Sequence, residues 1–487
     1  MKIVPSYSEI ERMAEEYNII PVCREIYADI ITPITLLRKI AGISNRYCLL
    51  ESVEGDGKWS RYSFICFNPI AHLRFKNGQL TLAENGVVKK VPTLRPFKEI
   101  RAFLARYKAP RIEKIPPFAG GLVGYFSYSM IGYIESAIKL RNSEFNDFDL
   151  MMFDKVIAYD HQKQKMCIVV NMRTDKKEAN YRKALSDIED IISLIKSQPV
   201  MPEKPINSSP YFTCNVSKDE FCLMVNKAKE YIKEGEIYQA VLSRRFETEH
   251  EHSLLNAYRV LRTTNPSPYM VFMQNGDIQL MSASPETLVR LHNGILSTFP
   301  IAGTRPRGKD SSEDKAFEQE LLEDCKELAE HDMLIDLARN DLGKISAYSS
   351  IHVVNYKKIQ RCSKIMHIAS EVEGSIMDGK DALDAIEALL PAGTLSGAPK
   401  IRACQIIEEL EKEPRGIYGG AIGYIDFTGN MDVCIAIRMA VKKNNKVYIQ
   451  AGSGIVADSI PEKEYEETEN KARALMEAVI SASEVDG

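Results

Sequence analysis

The sequence is short of several features, and each shortage closes off a class of protein. Its ten cysteines are scattered, with no two at CxxC spacing. That excludes a paired metal knuckle and a dense disulfide frame, so reduced, buried thiols are expected. No apolar run approaches the roughly 18 residues a membrane span requires. The opening stretch MKIVPSYSEIERMAEEYNII has neither the basic-then-apolar order of a secretory signal nor the Arg/Ser bias of a transit peptide, so a cytoplasmic protein is expected. A net charge of -4 without a dense Lys/Arg cluster gives no case for a nucleic-acid partner. There is no Walker A loop and no G-x-G-x-x-G unit, which argues against a nucleotide. There is also no repeat of fixed period and no regular βαβα alternation, which excludes a solenoid and a doubly wound sheet.

What remains is globular. Hydrophobic content of 45% and charged content of 27% over 487 residues suit a two-part protein with a sizeable core. Period-3.6 patterns predict helices over 8–17, 33–40, 97–107, 176–196, 218–233, 254–263 and 461–481. Alternating segments hinged on Asn-Gly, clearest in AHLRFKNGQLTLAENGVVKKV, predict antiparallel hairpins. YCLLES and WSRYSFICF read as strands joined by the turn-rich EGDGK. DLMMFDKVIAYDH and MDVCIAIRMAVKK each read as one strand. The polar, Pro-rich SQPVMPEKPINSSP separates a first region, 1–200, from a second, 201–487. The expected class is α+β, with antiparallel sheets packed against outer helices in a two-part sandwich.

The candidate chemistry gathers on acids. Phe317–Gly343 reads as one long helix, apolar nearly all round yet carrying Glu323, Asp324, Glu327, Glu330, Asp332 and Asp336. Charge on a buried helix is costly unless it is paired or bound to a cation. Glu327 and Glu330 share a face, and Glu464 and Glu467 repeat the spacing on the last helix, with Lys471 on the same edge. Facing each other, four carboxylates require a cation, and all-oxygen ligation favours Mg²⁺. Two glycine loops, Gly393–Gly397 and Ala451–Gly454, offer backbone N–H groups to an anion, although each also reads as a tight turn. Arg438 stands among apolar strand residues and needs a partner, either a ligand carboxylate or a buried ion pair. His367 is either a satisfied core histidine or an acid/base group. Two readings follow: a Mg²⁺-dependent enzyme acting on a small polyanionic metabolite, or a non-catalytic small-molecule sensor.

The motifs PIAGTRPRG (300–308), KELAEHDMLIDLARNDLG, PAGTLSGAPKIRA, the 451–454 loop and EYEETENKA closely resemble the chorismate-utilising enzymes. LLES (49–52), RYSF (61–64) and NPSPYM (265–270) extend the likeness, which is greatest to the anthranilate synthase large subunits. Water-using relatives carry a Lys base where this chain has Gln239, and aminodeoxychorismate synthases carry a nucleophilic Lys where it has Ala302. A neutral amide cannot deprotonate water but is compatible with ammonia.

The resemblance implies that Glu330 and Glu467 bind Mg²⁺, supported by Glu327 and Glu464. It implies that Gly303, Thr304, Tyr418, Arg438, Gly452, Ser453, Gly454 and Lys471 contact chorismate. Glu286 is implied as the general acid, with His367 and Thr394 assisting pyruvate loss. It further implies a separate glutamine amidotransferase subunit that supplies ammonia. Feedback by L-tryptophan is implied at Glu51, Ser52, Asn265, Pro268, Tyr269, Met270 and Cys434, which would make 1–200 a regulatory region and 201–487 a catalytic one. Ser60 before RYSF and Tyr128–Met130 depart from the family pattern.

Overall fold

Two positive-φ dipeptides, Asn77-Gly78 (50° and 74°) and Asn85-Gly86 (51° and 77°), fold Ala71–Lys76, Gln79–Glu84 and Val87–Pro92 into consecutive hairpins. This is the turn geometry that matches strand twist and favours Asn-Gly. The same logic repeats along the chain in the computed structural model, which describes residues 3–52, 61–197, 210–361 and 365–485. Among these residues the strands form a thirteen-stranded and a twelve-stranded sheet, with every pairing antiparallel.

The sheets pack face to face through a core that includes Leu50, Phe64, Val123, Tyr125, Met151, Val271, Ile422 and Val441. Helices cover the outer faces. Pro33–Ala41, Lys177–Lys196, Leu255–Thr264 and Pro461–Ile480 seal one, while Pro96–Leu104 and Ala382–Leu389 seal the other. The expected α+β sandwich with outer helices is the observed architecture.

Each sheet draws strands from both sides of residue 200 and has one seam between them. In the larger sheet Arg46–Glu51 pairs with Tyr269–Asn275, setting Glu51 opposite Met270 and Arg46 opposite Asn275. In the smaller, Gly121–Phe126 pairs with Ala421–Asp426. Gly124 and Gly423 face each other there, and a Cβ on either would lie 2.0–2.1 Å from a neighbouring carbonyl oxygen. The proposed linker falls mostly on 198–209, and EGDGK, Trp59 and Ser60 on 53–60, all outside the described residues.

The chain crosses between sheets at points the sequence reads as continuous strand. Phe148–Phe153 lies in one sheet and Lys155–Asp160 in the other, with Asp154 between them. Met431–Ile435 and Met439–Lys443 are likewise split, and Arg438 at the crossing has φ +47°. Both flanks of each crossing are almost wholly buried, so the sequence runs through it as one continuous apolar strand segment and the break is hidden.

Two further expectations are corrected. The helix at Phe317–Gly343 is really two, Ser311–Glu323 and Cys325–Gly343. Asp324 breaks it by capping the second, accepting from the Lys326 and Glu327 amides. The pair is largely exposed, with Leu321, His331, Ile335 and Leu342 as its buried residues, so most of its charges are solvated. Also, Cys23 and Cys167 form a disulfide, joining adjacent strands from positions 144 residues apart. Sequence spacing does not reveal that sheet register.

Candidate active site

The site forms where two inter-sheet crossings meet. Ser282–Thr287 leaves the larger sheet through Pro285 and Glu286, and the second crossing runs from Ile435 to Met439. Backbone and hydroxyl groups bind the two together. The Ile435 amide donates to the Glu286 carbonyl (3.0 Å), the Ser284 hydroxyl to the Ile435 carbonyl (2.7 Å), and the Ala283 amide to the Arg438 carbonyl (2.9 Å). These bonds seat Glu286 and Arg438 at one place in the molecule.

Glu286 faces a small cavity whose other walls include Thr298, Leu334, Asp341, Leu389 and Thr394. Burial pushes its carboxyl up to about 7, against the pull of a 3.0 Å hydrogen bond from the Thr394 hydroxyl and the field of Lys471. Lys471 ties this group to the last helix. Its ammonium pairs with Glu467 at 2.6 Å and donates to the Gly452 carbonyl at 3.0 Å. Arg438 is held beside Tyr418 and Glu467, and burial lowers its affinity for a proton. Its guanidinium makes one long hydrogen bond, 3.4 Å to the Lys471 carbonyl, and no ion pair among the described residues. Such a cation suits an anionic ligand.

The expected loop at Ala451–Gly454 is instead the end of the strand Lys446–Ile455, paired in register with Gln239–Glu249, and its glycines leave a cradle beside it. A Cβ on Gly452 would lie 2.9 Å from the Tyr418 hydroxyl, and one on Gly454 would lie 2.6 Å from the Gln239 amide nitrogen. Ser453 is fully buried, and its hydroxyl has no hydrogen-bond partner among the described residues. Gln239 thus lies over Gly454, while its carbonyl packs against Gly397 of the Gly393–Gly397 segment.

Across the site Thr304 pairs in register with His367, the two side chains 3.0 Å apart. His367 Nδ1 is also 3.2 Å from the Gly303 carbonyl, which can only accept. Gly303 has φ +62°, and a Cβ there would reach Leu321 (2.8 Å) and the Glu327 carboxylate (3.3 Å).

The acids converge only in part. The Glu330 carboxyl is pushed above its usual range by desolvation, then by the charge of Glu327 and, more weakly, of Glu467. Glu464 lies in the first turn of Pro461–Ile480, one helical turn before Glu467. Among the described residues no three His, Cys, Asp or Glu side chains are grouped closely enough to hold a metal ion by themselves. Mutually repelling carboxylates with oxygen donors alone do fit a hard divalent cation, for which one or two carboxylates plus ligand oxygens suffice.

One organising residue carries no sequence signal. Arg415, buried with Glu411 in a 2.6 Å pair, donates to the carbonyls of Leu395 and Val241, both at 2.6 Å. It clamps the loop that presents Thr394 to the strand that carries Gln239. Nothing periodic marks Arg415; a charged residue beside the glycines of EPRGIYGG is its only trace.

The implied effector residues lie at the larger sheet's seam. The Glu51 carboxylate accepts from Ser63 (2.9 Å), Tyr258 (2.8 Å) and Arg262 (2.9 Å). Ser52 follows it, half-buried, while Met270 and Cys434 are fully buried. Asn265 and Pro268 remain accessible on the turn leading to Tyr269, whose hydroxyl contacts Thr287 and Asp432, both at 2.8 Å.

Such a site, on two interleaved antiparallel sheets, defines a class: the chain belongs to the chorismate binding enzyme family, whose sequence profile matches residues 46–477. Within it, the chain is similar to proteins named anthranilate synthase component 1. That of Acetivibrio thermocellus is 44% identical over 99% of both chains, and that of Aquifex aeolicus 43% over the same shares. The crystal structure of anthranilate synthase component I from Streptococcus pneumoniae superposes with a TM-score of 0.76 at 36% identity, covering 93% of this chain and 99% of that one. The menaquinone-specific isochorismate synthase of Escherichia coli shares the fold at 17% identity and a TM-score of 0.70.

Proposed function

We propose that the chain is the large subunit of an anthranilate synthase, a carbon–oxygen lyase converting chorismate and ammonia to anthranilate and pyruvate. The observation that carries this reading is Glu286, buried and hydrogen-bonded to Thr394, with a pKa of about 7. A carboxyl tuned to that range is protonated often enough at neutral pH to act as a general acid.

Arg438 and Tyr418, with the backbone of the 452–454 cradle, take a carboxylate of chorismate. Glu286 gives its proton to the departing C4 hydroxyl, which leaves as water while ammonia adds at C2. Gln239 lies beside the cradle and cannot deprotonate water, so water gains no advantage over ammonia. Loss of the C2 proton with the enolpyruvyl group as pyruvate then restores aromaticity, a step that His367 and Thr394 assist. Glu330 and Glu467, supported by Glu327 and Glu464, would hold Mg²⁺, whose chemistry is to neutralise the ring carboxylate.

Ammonia would come from glutamine through a separate amidotransferase subunit, and L-tryptophan would inhibit at the Glu51/Met270 seam. The proposed compartment is the cytoplasm. Among the described residues no helix is long and apolar enough to cross a membrane. Ala302 leaves no amine for the covalent step of the runner-up, an aminodeoxychorismate synthase. A sensor, the reading from a different class, gains nothing from an acid tuned to neutrality. The test is to incubate the purified chain with chorismate, Mg²⁺ and an ammonium salt at high pH. Anthranilate plus pyruvate is expected. Formation of 4-amino-4-deoxychorismate, or chorismate binding without turnover, overturns the proposal.

A further inference from the structure

One end of the sandwich opens into a polar cavity of about 200 Å³, distinct from the site above. Its walls come from both layers. Arg46, Asn275 and Lys443 belong to the larger sheet, and His72, Arg74 and Asp149 to the smaller.

The floor is a closed hydrogen-bond set. Asp149, 2% exposed, accepts from His72 (2.5 Å) and Asn275 (2.6 Å) through one oxygen, and from Asn146 (2.8 Å) through the other. Its charge is used within the floor. The cations above it are not neutralised in this way. Arg46 donates through Nε to the Asn275 side-chain oxygen (3.2 Å), and Lys443 to the Glu144 backbone carbonyl (2.7 Å). Arg74 is exposed and makes no hydrogen bond among the described residues, where none of the three cations is in an ion pair. Asp277, exposed at the cavity edge, offsets one of the three charges.

Two guanidinium forks and an ammonium arriving from two sheets suit a tetrahedral anion with several oxygens. We propose that this cavity binds a small anion bearing a phosphoryl group, clamped between the sheets. It lies at the Arg46–Asn275 end of the same seam whose other end pairs Glu51 with Met270. An anion there ties the layers together at a distance from the chorismate site.

The test is calorimetric titration of the full chain with inorganic phosphate and, separately, with glycerol 3-phosphate. Saturable one-to-one binding is expected. Arg74→Gln combined with Lys443→Gln should weaken it by at least about tenfold, with the circular dichroism spectrum unchanged. Arg438→Gln, in the chorismate site, should leave it intact. Tighter binding of the ester assigns the site to a phosphorylated metabolite, and tighter binding of phosphate to the free ion. Equal binding by wild type and the double variant, loss of binding in Arg438→Gln, or a non-saturating response overturns the proposal.

Discussion

Thr394 Oγ1 donates a 3.0 Å hydrogen bond to Glu286 Oε1 across a separation of 108 residues. The bond opposes burial: desolvation raises the Glu286 carboxyl, and Thr394 and Lys471 hold it back to about 7. The working protonation state of the proposed acid is thus set by a loop that Arg415 anchors.

Thr394→Val should therefore move the pH profile. Without the donor the charged form of Glu286 loses a hydrogen bond, so its pKa rises further. The basic limb of kcat/KM is expected to shift upward by on the order of one pH unit. An unshifted limb would separate Thr394 from the tuning of Glu286.

Glu286→Gln should abolish turnover while stabilising the fold in a defined pH window. The folded pKa, about 7, stands above the ordinary value of 4.5. The native state therefore binds more protons than the unfolded state between those values, and stability falls as pH rises through the window. Above pH 7 the full penalty applies, roughly 3 kcal/mol at 1.36 kcal/mol per unit. Urea unfolding should show the variant more stable than wild type at pH 8 and equal to it near pH 4.

Much of this site is legible in the sequence, because its parts are local motifs. The Glu327/Glu330 and Glu464/Glu467 spacings, the glycine loops and the Gln239 and Ala302 positions are visible without a structure. What is hidden depends on sheet register and on chain crossings. Arg438 looks like a strand residue but sits in a crossing with left-handed backbone, hidden because both flanking segments are buried apolar strand. Asp324 looks like one more helical acid but is the cap dividing two helices. Cys23 and Cys167 look like scattered thiols until the register sets their strands side by side. Arg415 acts through backbone carbonyls, which no side-chain pattern marks.

Glu330→Gln should raise the Mg²⁺ concentration needed for half-maximal turnover by at least about tenfold, as loss of one of two charged ligands implies. The amide also relieves the repulsion from Glu327 and Glu467. Stability without Mg²⁺ should therefore hold or rise. An unchanged Mg²⁺ dependence would return this helix to a structural role.

Glu411→Ala should be among the most destabilising single changes. Both partners of the Glu411–Arg415 pair are nearly inaccessible, with side chains 4% and 2% exposed. Removing the acid leaves a buried guanidinium uncompensated, at about 3–5 kcal/mol. Replacing Arg415 with Met in the Glu411→Leu background should recover part of the stability but not the loop position, so kcat should stay low while the melting temperature rises.

Tryptophan, if it inhibits this protein, is expected to act at the seam. Glu51 is already saturated by Ser63, Tyr258 and Arg262, so its carboxylate acts as a fixed post. Met270 is paired opposite it in the sheet. Any ligand held by Ser52 and the 265–270 turn therefore bears on the joint between the chain's two regions, and inhibition can reach the crossings through that sheet. Ser52→Phe fills the position next to the post without touching Glu286 or Arg438. It should lose tryptophan binding by calorimetry and resist inhibition, with kcat and KM for chorismate within about twofold of wild type, as expected for a site outside the chemistry. Equal tryptophan binding by both proteins would remove the seam as the effector site.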